Sequence, residues 1–403
     1  MIFSGPAQNI PTMLGLGHTK RFDRSLRAAT AILSLASLVS LAVFDRAAAQ
    51  IPSLASPSQP SPAMPTTADA YSAVFDQWVI RHRPNTAILV VRRGGKTLAI
   101  KGHGVDPSEP TMIASLSKPI TGACIATLIR DGKLSFMTRM RDALAQFFKK
   151  FGPPLDRRLE LVTVEQLLVH RSGFAGNSDG DPIFAVMDKR AGSGMGQLGA
   201  ADSILAEYLL KTRHIRIQGN KYSYSNTGYG ILTAVIEERT GRSYEDYCRE
   251  AVFEKLGIAQ PKLHPDWRVL SGAGGWFIPG ADYLAFLDIF DPAHPFLGDA
   301  VKKWIDQAQG RWTLGNRGRW YSLGINTWAG AGRWSVSHGG VVNSQGRDIE
   351  GRPTEASIVS HAFRAADSTA VFIALPWTPT SSQAVNDLRR EIGLTHKLVK
   401  GLP

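Results

Sequence analysis

The chain has 403 residues, of which 43% are hydrophobic and 20% are charged, enough for one large globular domain or two smaller ones. Its formal net charge is +12, but the lysines and arginines are spread along the chain, and no zinc-finger or RNP-type pattern accompanies them. Composition and charge therefore argue against a nucleic-acid-binding protein and leave only a general attraction to an anionic envelope or polymer.

The first 49 residues have the pattern of an export signal. A basic stretch at residues 20–27 precedes an apolar run at residues 28–44, and the alanines at 47–49 resemble a cleavage site. The mature chain is therefore expected to begin near Gln50. Because the apolar run approaches the length of a short membrane span, an uncleaved anchor is the alternative. The protein is expected to be periplasmic or secreted, or else anchored by this segment.

Residues 50–67 are rich in proline and serine and lack hydrophobic periodicity, which is typical of an extended tether. The remaining residues, 68–403, are predicted to form one folded domain. This domain contains both cysteines of the chain, Cys124 and Cys248. Export would permit a disulfide between them, but Cys124 falls in an apolar helical stretch and is expected to be a small buried hydrophobic residue instead.

Hydrophobic periodicity predicts the elements of this domain in chain order. Helices are predicted at residues 68–82, 115–130, 164–169, 201–210, 228–240, 244–256, 280–290 and 381–392. Strands are predicted at residues 86–92, 97–101, 320–328, 333–337, 355–363 and 369–375. Strands at both ends and helices between them predict an α+β fold, in which both termini complete one antiparallel sheet and a helical lobe, roughly residues 112–320, is inserted.

A first candidate site lies where Ser115, Lys118 and Pro119 precede an apolar helical run. If the helix begins at Ser115, Lys118 lies one turn away on the same face, and Pro119 is tolerated only in a first turn. A lysine held there can accept the hydroxyl proton of the serine if burial or a nearby cation lowers its pKa. By itself the pattern is common, and a capping serine followed by a solvated lysine is then the simpler interpretation.

Two later stretches carry further candidates. Tyr224 and Asn226 precede an apolar helix; a tyrosine beside an ammonium group shares its proton more readily, and an asparagine amide can donate to a substrate carbonyl. His338 ends a predicted strand, and Gly339 and Gly340 behind it allow a substrate backbone to approach closely. Taken separately, a tyrosine-rich loop packed on the core and a structural histidine are the simpler interpretations.

The order of these three elements resembles that of the serine β-lactamase and penicillin-binding protein family. The resemblance is to its class C-like branch, with the D-alanyl-D-alanine carboxypeptidases and family VIII esterases. Residues 162–174 and 274–286 are similar to two further family segments, with Tyr283 where leucine or methionine is usual. The resemblance covers roughly residues 68–375 and implies a β-lactamase/transpeptidase-like fold.

The resemblance also implies roles. Ser115 is expected to be the acylated nucleophile and Lys118 its proton acceptor, while Tyr224 assists proton transfer and Asn226 helps to hold the substrate. The backbone N–H groups of Ser115 and Val341 are expected to form the oxyanion hole. The implied enzyme is a serine hydrolase that cleaves an ester or amide bond through an acyl-enzyme, without a cofactor or metal. Its substrate class stays open among short esters, D-amino-acid peptides and β-lactams, so a D-alanyl-D-alanine carboxypeptidase and a true β-lactamase are alternatives.

The chain departs from the family pattern at the third motif. Many β-lactamases carry a lysine where this chain has His338, and a mostly neutral side chain in place of a permanent cation argues against efficient β-lactam hydrolysis. Together with Gly340, His338 is still expected to contact the substrate. Residues 342–353 are longer and more polar than the usual turn after this motif, and they are expected to narrow the cleft or to add Arg347 as an anion-recognising group.

Other patterns carry less weight. Residues 176–180 match G-x-S-x-G and residues 194–199 match G-x-G-x-x-G, but neither has the flanking strand and helix that these motifs require. The ten histidines show no metal-ligand spacing. The alternative of a different class is a catalytically inactive protein that binds peptidoglycan-like ligands. The presence of both Lys118 and Tyr224 favours an enzyme, because an inactive site is expected to lose its proton-transfer groups.

Overall fold

The computed structural model describes most of the predicted domain. The described residues are 67–174, 181, 183–192, 201–211, 221–259, 261–314, 318–330, 332–347, 353–378 and 382–399. The predicted signal segment, all but the last residue of the tether, and the two glycine patterns at residues 176–180 and 194–199 lie outside them. Within these ranges, no helix is both long enough and apolar enough to cross a membrane.

Helices and strands of this domain are numbered here in chain order. The helices are α1 (Thr67–His82), α2 (Ser117–Arg130), α3 (Met140–Ala143), α4 (Ala145–Phe151), α5 (Val164–Leu168), α6 (Ile183–Gly192), α7 (Ala201–Lys211), α8 (Asn226–Thr240), α9 (Tyr244–Cys248), α10 (Ser271–Gly274), α11 (Gly280–Leu287), α12 (Asp299–Trp312) and α13 (Ser382–Val399). The strands are β1 (Ala87–Arg93), β2 (Lys96–His103), β3 (Thr111–Met112), β4 (Lys262–Leu263), β5 (Trp276–Ile278), β6 (Thr313–Leu314), β7 (Arg319–Tyr321), β8 (Asn326–Gly330), β9 (Arg333–Arg347), β10 (Pro353–Arg364) and β11 (Thr369–Thr378).

Eight strands form one antiparallel sheet in the order β2-β1-β11-β10-β9-β8-β7-β6, and β3, β5 and β4 form a small second sheet. The first strand, β1, pairs with the last, β11, so both ends of the domain complete the large sheet. The chain between β2 and β6 is mostly helical. This topology confirms the predicted α+β architecture with an inserted helical lobe.

Strands β1 and β11 are buried on both faces, which explains their nearly continuous apolar sequences. In β1, Ile88 and Val90 belong to the core shared with the helical lobe, whereas Leu89 and Val91 pack under α1 and α13. Successive side chains of a strand point to opposite faces, so one strand serves both cores. We call the side toward the helical lobe the front face and the side under α1 and α13 the back face.

The prediction of a single strand at residues 320–328 is wrong, because β7 and β8 form an antiparallel pair joined by a turn. Gly324 in that turn has a φ of 78°, and a Cβ there would lie 2.3 Å from the carbonyl oxygen of Lys118. The turn is therefore buried against α2, and its apolar residues Leu323 and Ile325 continue the strand pattern through it. Periodicity alone does not reveal a buried turn.

The described residues of the predicted insertion, 342–347 and 353, lie in strands of the large sheet. Strand β9 runs ten residues past the predicted end at residue 337, and Arg347 pairs with Pro353 at the start of β10. Only the backbone is described here, so the proposed anion contact of the Arg347 side chain stays a prediction.

The expectation for the cysteines is wrong: Cys124 of α2 and Cys248 of α9 form a disulfide, with their Cα atoms 5.6 Å apart. Both residues are fully buried, as expected for Cys124. The partner lies 124 residues further along the chain, on a separate helix. Helical periodicity shows that Cys124 faces a core, but only tertiary packing decides which residue it meets there.

Candidate active site

Ser115 lies in a single 3-10 turn, Ala114–Leu116, directly ahead of α2. Pro119 is the third residue of that helix and therefore falls in its first turn, as predicted. Ala114 has a φ of 48°, in the left-handed region that residues other than glycine rarely adopt. Such a conformation persists only where surrounding contacts hold it.

Two hydroxyl groups supply those contacts. Ser360 of β10 donates to the carbonyl of Ile113 at 2.7 Å, and Tyr283 of α11 donates to the carbonyl of Leu116 at 2.9 Å. These carbonyls lie on either side of Ser115, so the sheet and α11 together fix the turn. Tyr283, which stands where the family usually has leucine or methionine, is therefore accounted for by its hydrogen bond to the Leu116 carbonyl.

Gly340 brings β9 against the same turn. A Cβ at this position would lie 2.6 Å from Ser360 Oγ and 2.8 Å from both the backbone nitrogen of Ser115 and the carbonyl oxygen of Ile113. No side chain fits in that space, so the glycine is required for the close approach. Val341 follows on the exposed side of the strand, with 57% of its surface accessible.

Lys118 is fully buried and contacts three oxygen atoms. Its Nζ lies 3.0 Å from Ser115 Oγ, 2.8 Å from Asn226 Oδ1 and 2.8 Å from the carbonyl oxygen of Ala273. Burial lowers the pKa of Lys118 to about 7, and the negative charge of Asp181 opposes that shift. The amine can therefore release and take up a proton near neutral pH.

The geometry suits a neutral amine as proton acceptor. An unprotonated amino group has two hydrogens and one lone pair. The amide oxygen of Asn226 and the carbonyl of Ala273 can only accept, so they take the two hydrogens of Lys118. The lone pair is then left for the hydroxyl hydrogen of Ser115.

Tyr224 lies above this pair. Its ring centroid is 4.7 Å from Lys118 Nζ, and its hydroxyl is near enough to Ser115 for that serine to affect its pKa. Although 37% of the residue is exposed, burial around the hydroxyl raises the pKa of Tyr224 above its usual value, and the influence of Ser115 offsets only part of that effect. The tyrosine is therefore a neutral hydroxyl here, able to pass a proton on but not to act as a phenolate base.

His170 holds the segment that carries Tyr224. Its carbonyl accepts the N–H of Ser223 at 2.8 Å, its Nδ1 accepts the N–H of Ser225 at 3.2 Å, and its ring centroid lies 4.3 Å from that of Tyr224. Burial and the nearby charge of Lys118 lower the pKa of His170 well below its ordinary value. A neutral ring with Nδ1 as acceptor carries its hydrogen on Nε2, which has no hydrogen-bond partner among the described residues.

His338 is buried beside Tyr224 and Tyr321. Its Nδ1–H donates to the carbonyl of Gly339 at 2.7 Å, and Nε2 lies 2.9 Å from the hydroxyl of Tyr321. Burial and the charge of Lys118 lower the pKa of His338 to about 3, against a small opposing effect of the Gly339 carbonyl. At neutral pH this histidine is therefore uncharged and offers no cation to a substrate carboxylate.

The structure brings six of the predicted site residues together. These are Ser115, Lys118, Tyr224, Asn226, His338 and Gly340. Sequence analysis assigned no role to His170, Tyr321 or Asp181. His170 is the histidine of the segment 162–174 that resembles the family, so this resemblance was the signal that could have marked it. Asp181 directly follows the set-aside G-x-S-x-G match at residues 176–180, and nothing in that pattern assigns a role to it.

No three His, Cys, Asp or Glu side chains in the described ranges lie close enough together to hold a metal ion. The residues around Ser115 are hydroxyl, amine, amide and imidazole groups whose contacts are with one another.

Comparisons with known proteins identify relatives of this chain. In sequence, the chain is 26% identical to the protein flp of Staphylococcus aureus (strain NCTC 8325 / PS 47) over 184 residues, covering 43% of this chain and 34% of that protein. It is 29% identical to penicillin-binding protein 4 of Amycolatopsis lactamdurans over 171 residues, covering 41% and 40%. The aligned part spans roughly a third of the length of flp, the first of these curated relatives.

The fold is similar to that of the octameric penicillin-binding protein homologue from Pyrococcus abyssi, with a TM-score of 0.60 and 18% identity, over 83% of this chain and 78% of that one. The family model described as Beta-lactamase matches residues 72–364, which is more than half of the chain and includes every residue of the site. With this match, and with Ser115, Lys118, Tyr224 and His338 meeting at one place, the chain belongs to the β-lactamase family of serine hydrolases.

Proposed function

We propose that this protein cleaves an ester or amide bond through an acyl-enzyme on Ser115. The observation that carries the proposal is the contact of Ser115 Oγ with Lys118 Nζ at 3.0 Å, in surroundings that lower the pKa of the lysine to about 7. A serine hydroxyl becomes an effective nucleophile when such a base takes its proton.

Acylation begins when the neutral amine of Lys118 accepts the hydroxyl proton of Ser115. The Oγ atom then attacks the substrate carbonyl carbon, and the carbonyl oxygen becomes an oxyanion. We assign its stabilisation to the backbone N–H groups of Ser115 and Val341, aimed where the charge develops. The scissile bond breaks as the leaving group receives a proton, which Tyr224 relays from Lys118.

Deacylation uses the same groups in reverse order. Water attacks the acyl carbon of Ser115 while Tyr224 and Lys118 take up its proton. The new bond is between the acyl carbon and the water oxygen, and the bond to Ser115 Oγ breaks with return of the proton to that oxygen.

The charges of the site bear on the substrate class. Lys118 is neutral when it acts as a base, and His338 is neutral above a pH of about 3, so neither is a permanent cation for a substrate carboxylate. This favours esters and amides that carry no carboxylate over β-lactams. Asn226, already bound to Lys118 through Oδ1, has its amide hydrogens available for the acyl part. A D-alanyl-D-alanine carboxypeptidase or a true β-lactamase is the alternative within the family.

A catalytically inactive binder of peptidoglycan-like ligands is the alternative of another class. Against it stands the completeness of the proton path: Lys118 contacts Ser115, and Tyr224 lies near both. A protein that only binds has no need for a buried amine held 3.0 Å from a serine.

We also propose that residues 1–49 are an export signal, that residues 50–67 are a tether, and that residues 68–403 act in the periplasm or outside the cell. The disulfide between Cys124 and Cys248 supports this location, because such bonds persist in oxidising compartments. N-terminal sequencing of the exported protein distinguishes a cleaved signal from an uncleaved anchor.

The decisive test is intact-mass spectrometry with an alkyl fluorophosphonate, which labels activated serines whatever the natural substrate. We expect one adduct on the wild type and on Ser108→Ala, a change at an exposed serine, and none on Ser115→Ala. An adduct that survives in Ser115→Ala would refute the assignment of the nucleophile.

Two substrates then separate the subclasses. Turnover of p-nitrophenyl butyrate without a benzylpenicillin adduct indicates an esterase, and a persistent or a transient penicilloyl adduct indicates a carboxypeptidase or a β-lactamase. Neither turnover nor any adduct indicates the binder.

A further inference from the structure

We propose that Asp181 is a positioning residue, whose charge and hydrogen bonds hold the segment around Asn226 against Lys118 and set the balance between the two protonation states of that lysine. The inference rests on the proposed function, because it concerns the base that activates Ser115. It adds a residue to which no sequence motif points.

The carboxylate of Asp181 is 7% exposed and binds both neighbours of Asn226. Its Oδ2 accepts the hydroxyl of Ser225 at 3.0 Å and the backbone N–H of Thr227 at 2.9 Å, and its Oδ1 accepts the hydroxyl of Thr227. Acceptance of three hydrogen bonds by two oxygens is the pattern of an ionised carboxylate.

Among the described residues, no lysine or arginine forms an ion pair with the Asp181 carboxylate. Its favourable contacts there are the three donors and the N-terminal end of α8, a 15-residue helix whose dipole favours a negative charge. The charge of Asp181 also acts on the ionisable groups near it.

Those groups are few and can be named. Lys118 touches Asn226 Oδ1 at 2.8 Å, and Asn226 stands between the two residues that Asp181 binds. From the other elements around the lysine, Tyr224, Tyr229, His170 and His338 face it, and Tyr208 of α7 faces the carboxylate. The tyrosines have raised pKa values and the histidines lowered ones, so all of them are uncharged near neutral pH. Among these groups, Asp181 is therefore the one whose charge stabilises the ammonium form of Lys118 against the effect of burial.

Two consequences follow for the base. The hydrogen bonds keep the Asn226 oxygen in place as an acceptor for Lys118. The charge stabilises the ammonium form, so it keeps the amine basic enough to take the proton of Ser115 despite burial, which alone would lower its proton affinity further.

The test compares Asp181→Asn, which removes the charge at nearly constant shape, with Thr227→Val, which removes one hydrogen bond and leaves the charge. The measured quantity is the pH dependence of kcat/KM for p-nitrophenyl butyrate, with the rate of fluorophosphonate labelling as a second readout. In the wild type we expect activity to rise with pH through about 7, as Lys118 loses its proton.

We expect the acidic limb of Asp181→Asn to move to lower pH by roughly one unit or more, because the ammonium form has lost its stabilising charge. We expect the acidic limb of Thr227→Val to stay within about 0.3 pH units of the wild type, although loss of the hydrogen bond lowers its thermal midpoint. An unchanged limb in Asp181→Asn, or an equal shift in both variants, would overturn the proposal.

If Asp181→Asn yields no folded protein, Asp181→Ser, in which water can replace the carboxylate, takes its place in the same comparison. Failure of the proposed function is a separate result: the wild type itself would then show no labelling that depends on Ser115.

Discussion

The two faces of the large sheet are built from alternate residues of the same strands, yet they bury different chemistry. The back face is closed by α1 and α13 with a core of apolar side chains such as Trp78, Leu89 and Leu388. The front face adds a polar cluster where β9 and β10 meet α2, and buries Lys118 and His338 there. The back face is held mainly by the packing of apolar side chains, whereas the front face also buries charged and polar groups, most of whose polar atoms are hydrogen-bonded.

The back face has a cavity of about 540 Å³ whose lining includes Trp328, His361 and Arg389, and none of the predicted site residues lines it. The front-face site is recognised instead by its contacts. We infer that the back face contributes stability and that the front face contributes the proposed reactivity, and substitutions can test that division.

The largest effect is expected on the front face from Lys118→Met, which keeps the length of the side chain and removes the base. We expect kcat/KM for an ester substrate to fall by about 10³-fold or more, because proton transfer from Ser115 is lost. Steady-state rates of ester hydrolysis give kcat/KM, and circular-dichroism spectra of both proteins show that the variant is folded. Activity within tenfold of the wild type would contradict the role of Lys118.

On the back face, Trp78→Ala is expected to lower the free energy of unfolding by about 3–5 kcal/mol. Trp78 is fully buried, and its Nε1–H donates to the carbonyl of Ala384 at 2.8 Å, so the change loses both packing and a hydrogen bond between α1 and α13. Urea titration gives the stability, and fluorophosphonate titration gives the activity per intact site, which should be unchanged. A loss of activity per site above tenfold would break the division between the faces.

Two neighbouring glycines of β9, Gly339 and Gly340, face opposite sides of the sheet, so the same substitution at each is expected to have different effects on activity. Gly340→Ala places a Cβ 2.8 Å from the Ser115 nitrogen, and we expect kcat/KM to fall by roughly 10–100-fold as the turn shifts. In Gly339→Ala the nearest atom, His361 Nδ1, lies at 3.7 Å on the back face, so activity should stay within about threefold. Equal losses in both variants would show that strand flexibility, not the front-face contact, is what matters.

The smallest effect is expected in a pH profile. Activity should rise with pH through about 7, the value to which burial lowers the pKa of Lys118, because the amine must lose its proton to act as base. His338 is already neutral above a pH of about 3, so His338→Asn should leave that limb within about 0.3 units of the wild type. Loss of the limb in this variant would assign it to the histidine instead.

Much of the fold followed from periodicity. The apolar runs of β1 and β11 and the buried α2 were predicted near their observed positions, because burial on both faces leaves a strong local pattern. The turn at Gly324 and the disulfide of Cys124 were not, because each depends on a segment distant in sequence packing against α2.

The sequence by itself determined which chemical groups are available, their order along the chain, and the helix turn that places Lys118 one turn after Ser115. Only the tertiary structure decided their state. Burial lowers the pKa of Lys118 to about 7 and keeps His338 neutral. Folding also brings Asp181 into contact with Ser225, which lies 44 residues further along the chain and next to Asn226. The physical reason is that proton affinity depends on desolvation and on neighbouring charges, and these are set by segments that only folding brings together.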